Sequence, residues 1–95
     1  MTQEYDLINN EEHNRFEFNI DGAIAFINYL KRNDTYYLIH TEVPEELQGK
    51  GIAGILVEKT LKFLGANGFK MMPFCPYIQS YLKRHPEWEK LVAGN

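Results

Sequence analysis

Two short stretches of this chain carry residue types able to do chemistry. The first is Gly49-Lys50-Gly51, placed immediately before a run that turns apolar with helical spacing at Ile52. A helix start leaves backbone N–H groups without partners, and a Ser, Thr, Asp or Asn cap ordinarily meets them. None is supplied here. Free amides, the positive end of the helix dipole and a bare glycine backbone together make an anion site, most naturally for phosphate. The competing reading is a glycine turn whose amides are met by water, and Glu45 and Glu46 suit a phosphate only if their side chains turn away. The second stretch is Cys75-Pro76. Proline fits the first position of a helix, which puts Cys75 at the N-cap with the amides of Ile78 and Gln79 in reach of its sulfur. That setting favours the reactive thiolate. A small buried hydrophobe is the alternative for a lone cysteine.

His40 is the third candidate. It sits near the end of the strand leading into the glycine loop, and Cys75 near the end of the next strand, so both belong to the carboxyl edge where ligands of parallel units bind. A Cys with a His is a known pairing of nucleophile and base, although a strand histidine also serves as a satisfied structural residue. His13 and His85 lie in loop-like contexts without such a partner, and no spacing of His, Cys and carboxylates suggests a metal.

The elements that must hold these groups follow from the hydrophobic period. Asp6–Asn9 is a weakly signalled first strand. Phe16, Phe18 and Ile20 alternate with Glu17 and Asn19, the period of a half-buried strand. Asp21-Gly22 marks a two-residue hairpin turn, Ala23 to Leu30 a second long strand, Lys31–Asp34 a turn, and Thr35 to Val43 a third long strand rich in β-branched and aromatic residues. From Ile52 the period becomes helical: Ile52, Ala53, Leu56, Val57, Leu61, Phe63 and Leu64 fall on one half of the cylinder, opposite Glu58, Lys59 and Lys62, with Ile55 the exception. Gly65 and Gly68 end the helix, Phe69 to Phe74 reads as a strand, and Pro76 to about Arg84 as a second helix. An antiparallel meander joined to one parallel β-α-β crossover is an α+β fold with a mixed sheet and helices packed on it.

Composition narrows the function. At 95 residues the chain has room for one domain, spanning residues 1–95. A hydrophobic share of 44% marks it as globular, while a net charge of −3 with scattered basic residues argues against a nucleic-acid surface. The single cysteine excludes an intramolecular disulfide framework. No apolar run approaches the roughly 20 residues of a membrane span, and none resembles a secretion signal. The expectation is a cytoplasmic protein with neither nucleic-acid nor membrane partners. Gly49-Lys50-Gly51-Ile52-Ala53-Gly54 also fits the dinucleotide fingerprint G-x-G-x-x-G, but a loop separates it from the strand and no acidic residue stands about 20 positions on.

Gln48-Gly49-Lys50-Gly51-Ile52-Ala53 resembles the (Gln/Arg)-x-x-Gly-x-(Gly/Ala) pyrophosphate motif of the GNAT N-acetyltransferases. The runs His40-Thr41-Glu42-Val43-Pro44 and Pro73-Phe74-Cys75-Pro76 are similar to a small single-domain branch of that superfamily. The resemblance implies acetyl-CoA as cofactor, with the amides of Gln48, Gly49, Lys50, Gly51, Ile52 and Ala53 on its pyrophosphate. It implies that the backbone of Thr41, Glu42 and Val43 binds the pantetheine arm, that Pro73 marks the split in the sheet that admits the cofactor, and that Tyr81, rather than Tyr77, protonates the departing thiolate; an aromatic core contact is the other reading of that tyrosine. Catalytic work would fall to Cys75, His40 and Tyr81, by direct amine attack or through an acetyl-Cys75 thioester, on a small-molecule or protein amine not identified by the sequence. The two helices that shape the acceptor site in full-length GNAT enzymes, between the first and second strands, and their last strands have no counterpart here. A CoA-binding module without turnover, acting as a sensor or partner protein, is therefore the rival reading.

Overall fold

A computed structural model describes residues 5–94 of the chain. One sheet runs through it in chain order: β1 (Ile8–Asn10), β2 (Arg15–Ile20), β3 (Ala23–Arg32), β4 (Thr35–Glu42) and β5 (Lys70–Pro73). The first four strands are antiparallel neighbours, and β5 lies parallel to β4 after helix α1 (Ile52–Ala66). Helix α2 (Pro76–Arg84) and a 3-10 segment (Pro86–Leu91) follow, and Val92 then bridges to Met71 of β5. This is the mixed-sheet α+β fold that the hydrophobic pattern predicts.

Local chemistry sets the turns. Asp21 and Gly22 take φ of 52° and 87°, so the Asp-Gly pair forms a primed hairpin turn whose twist matches its strands. The next turn is tighter than expected. Asn33 adopts φ 56°, which its short side chain tolerates, so Lys31 and Arg32 stay in the ladder opposite Tyr36 and Thr35. β1 begins at Ile8 instead of Asp6, and the link to β2 is the turn Glu11–Asn14, with no helix between them.

Alternation decides which face of the sheet is covered. Phe16, Phe18, Ala25, Ile27, Tyr29, Tyr36 and Leu38 are buried in one cluster with Leu56, Val57, Leu61 and Leu64 of α1 and Ile78 and Leu82 of α2. Phe16, Tyr29 and Tyr36 pack with ring centroids 4.8–5.3 Å apart, the separation at which tilted rings attract. Thr60 is buried on the same side of α1, a polar residue on a stripe read as apolar. The opposite face of the sheet is largely open: Leu30, Ile39 and Phe74 are exposed there, and Glu17 is buried by a 2.6 Å pairing with Arg15 and a 3.0 Å hydrogen bond from Asn10. No helix among the described residues is long and apolar enough to cross a membrane.

Tyr29 ties the meander together. Its hydroxyl donates to Asn9 Oδ1 at 2.6 Å, linking β3 to β1 across β2. Burial, with help from Tyr36 and Glu11, pushes its phenol up to about 12. Because that value lies above the roughly 10 of a free tyrosine, the contribution is whole below about pH 10 and fades as pH rises toward 12. Tyr29→Phe should cost about 1 kcal/mol in urea unfolding at neutral pH. It should also flatten the loss of stability between pH 10 and 12, measured in the same series.

Candidate functional site

The site is built where β4 and β5 part. Their parallel ladder runs from Thr35 opposite Lys70 to Leu38 opposite Pro73 and stops there. Pro73 has no N–H to continue a ladder, and the next two amides, of Phe74 and Cys75, both donate to the carbonyl of Leu38, at 3.0 and 3.1 Å. β4 continues to Glu42, so Ile39–Glu42 has β3 on one side and no strand on the other. Such an edge offers backbone donors and acceptors to an extended ligand.

A bulge in β4 decides which side chains reach this edge. Tyr29 pairs with Leu38 but Asn28 pairs with His40, leaving Ile39 as the extra residue. An extra residue shifts the alternation by one. Thr41, opposite the buried Ile27, therefore points to the helix-covered face, and His40, opposite Asn28, to the open one. Thr41 Oγ1 lies 3.4 Å from Cys75 Sγ. His40 Nε2 instead meets Glu42 Oε1 at 2.8 Å, and both side chains are more than half exposed. The structure thus brings Cys75 to Thr41 and leaves His40 across the sheet. Without the bulge, alternation from Leu38 would have turned His40 inward.

Beyond β4 the chain makes a 3-10 turn, Glu45–Leu47, anchored by the buried Leu47. Gln48 Nε2 donates to the carbonyl of Val43 at 3.2 Å and closes the loop across its base. Gly49 and Gly51 take φ of 82° and 70°, left-handed values that suit glycine, and Gly51 is the N-cap of α1 with no side-chain cap. The first helical bond runs from the Ile55 amide to Gly51. None of the amides from Gly49 to Gly54 donates to another group among the described residues. They are left to an outside acceptor.

Two adjoining cavities lie over this backbone, of about 240 and 330 Å³, sharing Val43, Gln48, Ala53 and Tyr77. Gly49, Gly51 and Ile52 line the first, and Thr41 and Glu42 the second; Lys50 lines neither. Glu45 and Glu46 are exposed and face neither cavity, which removes their conflict with an anion. The uncapped amides and the open strand edge fit a pyrophosphate and an amide-bearing arm respectively.

The tyrosines divide differently from what the resemblance implies, and Tyr81 takes the core position that is its other reading. Tyr77 lines both cavities, and its hydroxyl would stand 3.5 Å from a Cβ added at Gly54. Tyr81, one turn on, is 6% exposed, stacks on His85 at 4.2 Å and lines neither. Burial and then the Glu58 carboxylate push its phenol up. Tyr77 was legible as the other member of an i, i+4 pair, but spacing does not say which member faces the loop. Cys75 is the N-cap of α2 with Pro76 after it, yet its sulfur makes no capping hydrogen bond and the residue is 3% exposed. Its polar contact is Thr41, which stands between the sulfur and the second cavity. Thr41→Val should therefore slow iodoacetamide alkylation of Cys75 several-fold, while Thr41→Ser keeps the parent rate; intact mass against time measures both.

The family model described as GCN5-related N-acetyl-transferase matches residues 15–91. Protein NATD1 of Homo sapiens and of Gallus gallus is 43% identical over 66 residues, and that of Xenopus tropicalis 36%. These matches cover 70% of this chain and 58–60% of the relatives, so the chain spans about three-fifths of their length. The solution structure of a GCN5-like protein from Staphylococcus aureus aligns with a TM-score of 0.70 over 99% of this chain and 93% of its own, at 22% identity, a likeness of fold. With a family match over most of its length and a strand split beside an uncapped helix, the chain belongs to the GCN5-related N-acetyl-transferases.

Proposed function

We propose that this chain binds acetyl-CoA along the open edge of β4 and the N-terminus of α1, and transfers its acetyl group to an amine. The observation that carries the reading is the run of unpartnered amides from Gly49 to Gly54 beside a strand edge left open at Leu38. Acetyl-CoA supplies an activated acyl thioester. The amides of Gly49, Gly51, Ile52 and Ala53, with the helix dipole behind them, hold the pyrophosphate. The backbone of Thr41, Glu42 and Val43 holds the pantetheine arm, and Gln48 keeps the loop closed over Val43. Tyr77, facing both cavities, is the residue of α2 placed to give a proton there. A reduced, cytoplasmic setting suits a chain whose one cysteine is a free buried thiol.

In the route through Cys75 the polar neighbour of the sulfur is Thr41 and not His40. With His40 bound to Glu42 on the other face, the base expected beside the sulfur is not there. Direct attack by an amine needs no such base at Cys75, whose sulfur is buried behind Thr41 and lines neither cavity. The rival reading, a CoA-binding module without turnover, is favoured by one observation: the short Glu11–Asn14 turn, with no helix to wall an acceptor site.

Three measurements separate these readings. CoA should raise the melting temperature of the parent and of Gly51→Asn, which tolerates the left-handed backbone, but not of a folded Gly51→Glu. Full stabilisation of Gly51→Glu would remove the loop from the site. His40→Ala should alkylate at Cys75 at the parent rate and retain turnover. Intact mass after exposure to acetyl-CoA, read beside thiol release with candidate amines, decides the rest: a gain of one acetyl on Cys75 supports the covalent route, and binding without thiol release supports the module.

A further inference from the structure

A larger cavity, of about 520 Å³, opens at the other end of α1. With 15 residues in the helix, it lies about 20 Å from the glycine loop. Its charged residues are Lys62, Lys70 and Lys90, its aromatic surfaces Phe69 and Trp88. A fourth ammonium, of Lys31, stands 4.9 Å over the Phe69 ring. No carboxylate among the described residues lines this cavity, although the chain as a whole carries a net charge of −3. Gathering like charges around a concave apolar surface costs repulsion, and it leaves a local field that attracts anions.

The lysines are not used up by neighbours. Lys70 Nζ donates to the carbonyl of Lys90 at 2.8 Å, which fixes the ammonium at the wall and leaves two of its three donors. Lys62 stands 3.7 Å from Glu58 with both side chains well exposed, a pair of little strength. Lys90 has no side-chain partner among the described residues. Flat rings beside free ammonium groups suit a ligand with a flat ring and a compact negative charge. A volume in the range of small-molecule sites, about 300–1,000 Å³, leaves room for one. We infer that this cavity is a second ligand site, for a small aromatic anion of the chemistry of a nucleoside monophosphate. It is separate from the acetyl-CoA reading and does not depend on it.

Trp88 is the one tryptophan of the chain, so its fluorescence reports this end of the molecule. Titration with AMP at low salt should give a saturable change, with adenosine and inorganic phosphate each much weaker. Lys62→Ala with Lys90→Ala should weaken AMP about ten-fold or more, and added salt should weaken it in the parent. Gly51→Glu should leave it unaltered. If the double variant does not fold, Lys90→Glu at one exposed position is read in the same way. The inference is overturned by the absence of a saturable change, by equal responses to adenosine and AMP, or by binding that survives the lysine changes and disappears in Gly51→Glu, which would put AMP in the glycine loop.

Discussion

The carbonyl oxygen of Leu38 is the point at which two strands stop being a sheet. It accepts from the amides of Phe74 and Cys75, and one strand ends in a proline while the other runs on to Glu42. A continued parallel ladder would have satisfied the backbone of Ile39–Glu42 internally. Ended here, it leaves that edge open beside the start of α1. The proposed reading rests on this gap, because an extended amide-bearing chain can pair with a strand only where that strand has lost its neighbour.

The bulge at Ile39 works together with the split. It turns Thr41 toward the helices and leaves Ile39 and His40 on the open face. One inserted residue therefore chooses which polar group meets Cys75. Since Thr41 lies 3.4 Å from the sulfur and also lines a cavity, the contact joins the cysteine to the wall of that cavity. His40, held by Glu42, belongs to a different surface.

The two ends of α1 carry opposite devices. At its N-terminus bare glycines expose amides, where backbone and dipole together suit an anion. At its C-terminus the dipole is negative, and an anion there has to be met by side chains, which is where Lys62, Lys70 and Lys90 gather. Between them the aromatic cluster of Phe16, Tyr29 and Tyr36 meets the helix through Phe16, whose ring lies 5.7 Å from that of Phe63.

Much of this was legible in the residues themselves, because it depends on local physics. Alternation in β2 to β4, the helical period from Ile52, the Asp21-Gly22 turn, the missing cap before α1 and the Pro73 and Pro76 punctuation are properties of short segments, and each appears where the chain places it. The contacts of His40, Thr41, Tyr77 and Tyr81 are of another kind. Whether His40 or Thr41 faces Cys75 turns on one bulge in a pairing between β3 and β4, a register that neither strand encodes alone. Which tyrosine of α2 faces the loop turns on how α2 is rotated against α1, and that is set by Ile78 and Leu82 entering a core assembled from the whole chain. Local preference selects the elements. Facing directions come from packing, because a strand phase or a helix rotation has meaning only relative to the surface it covers.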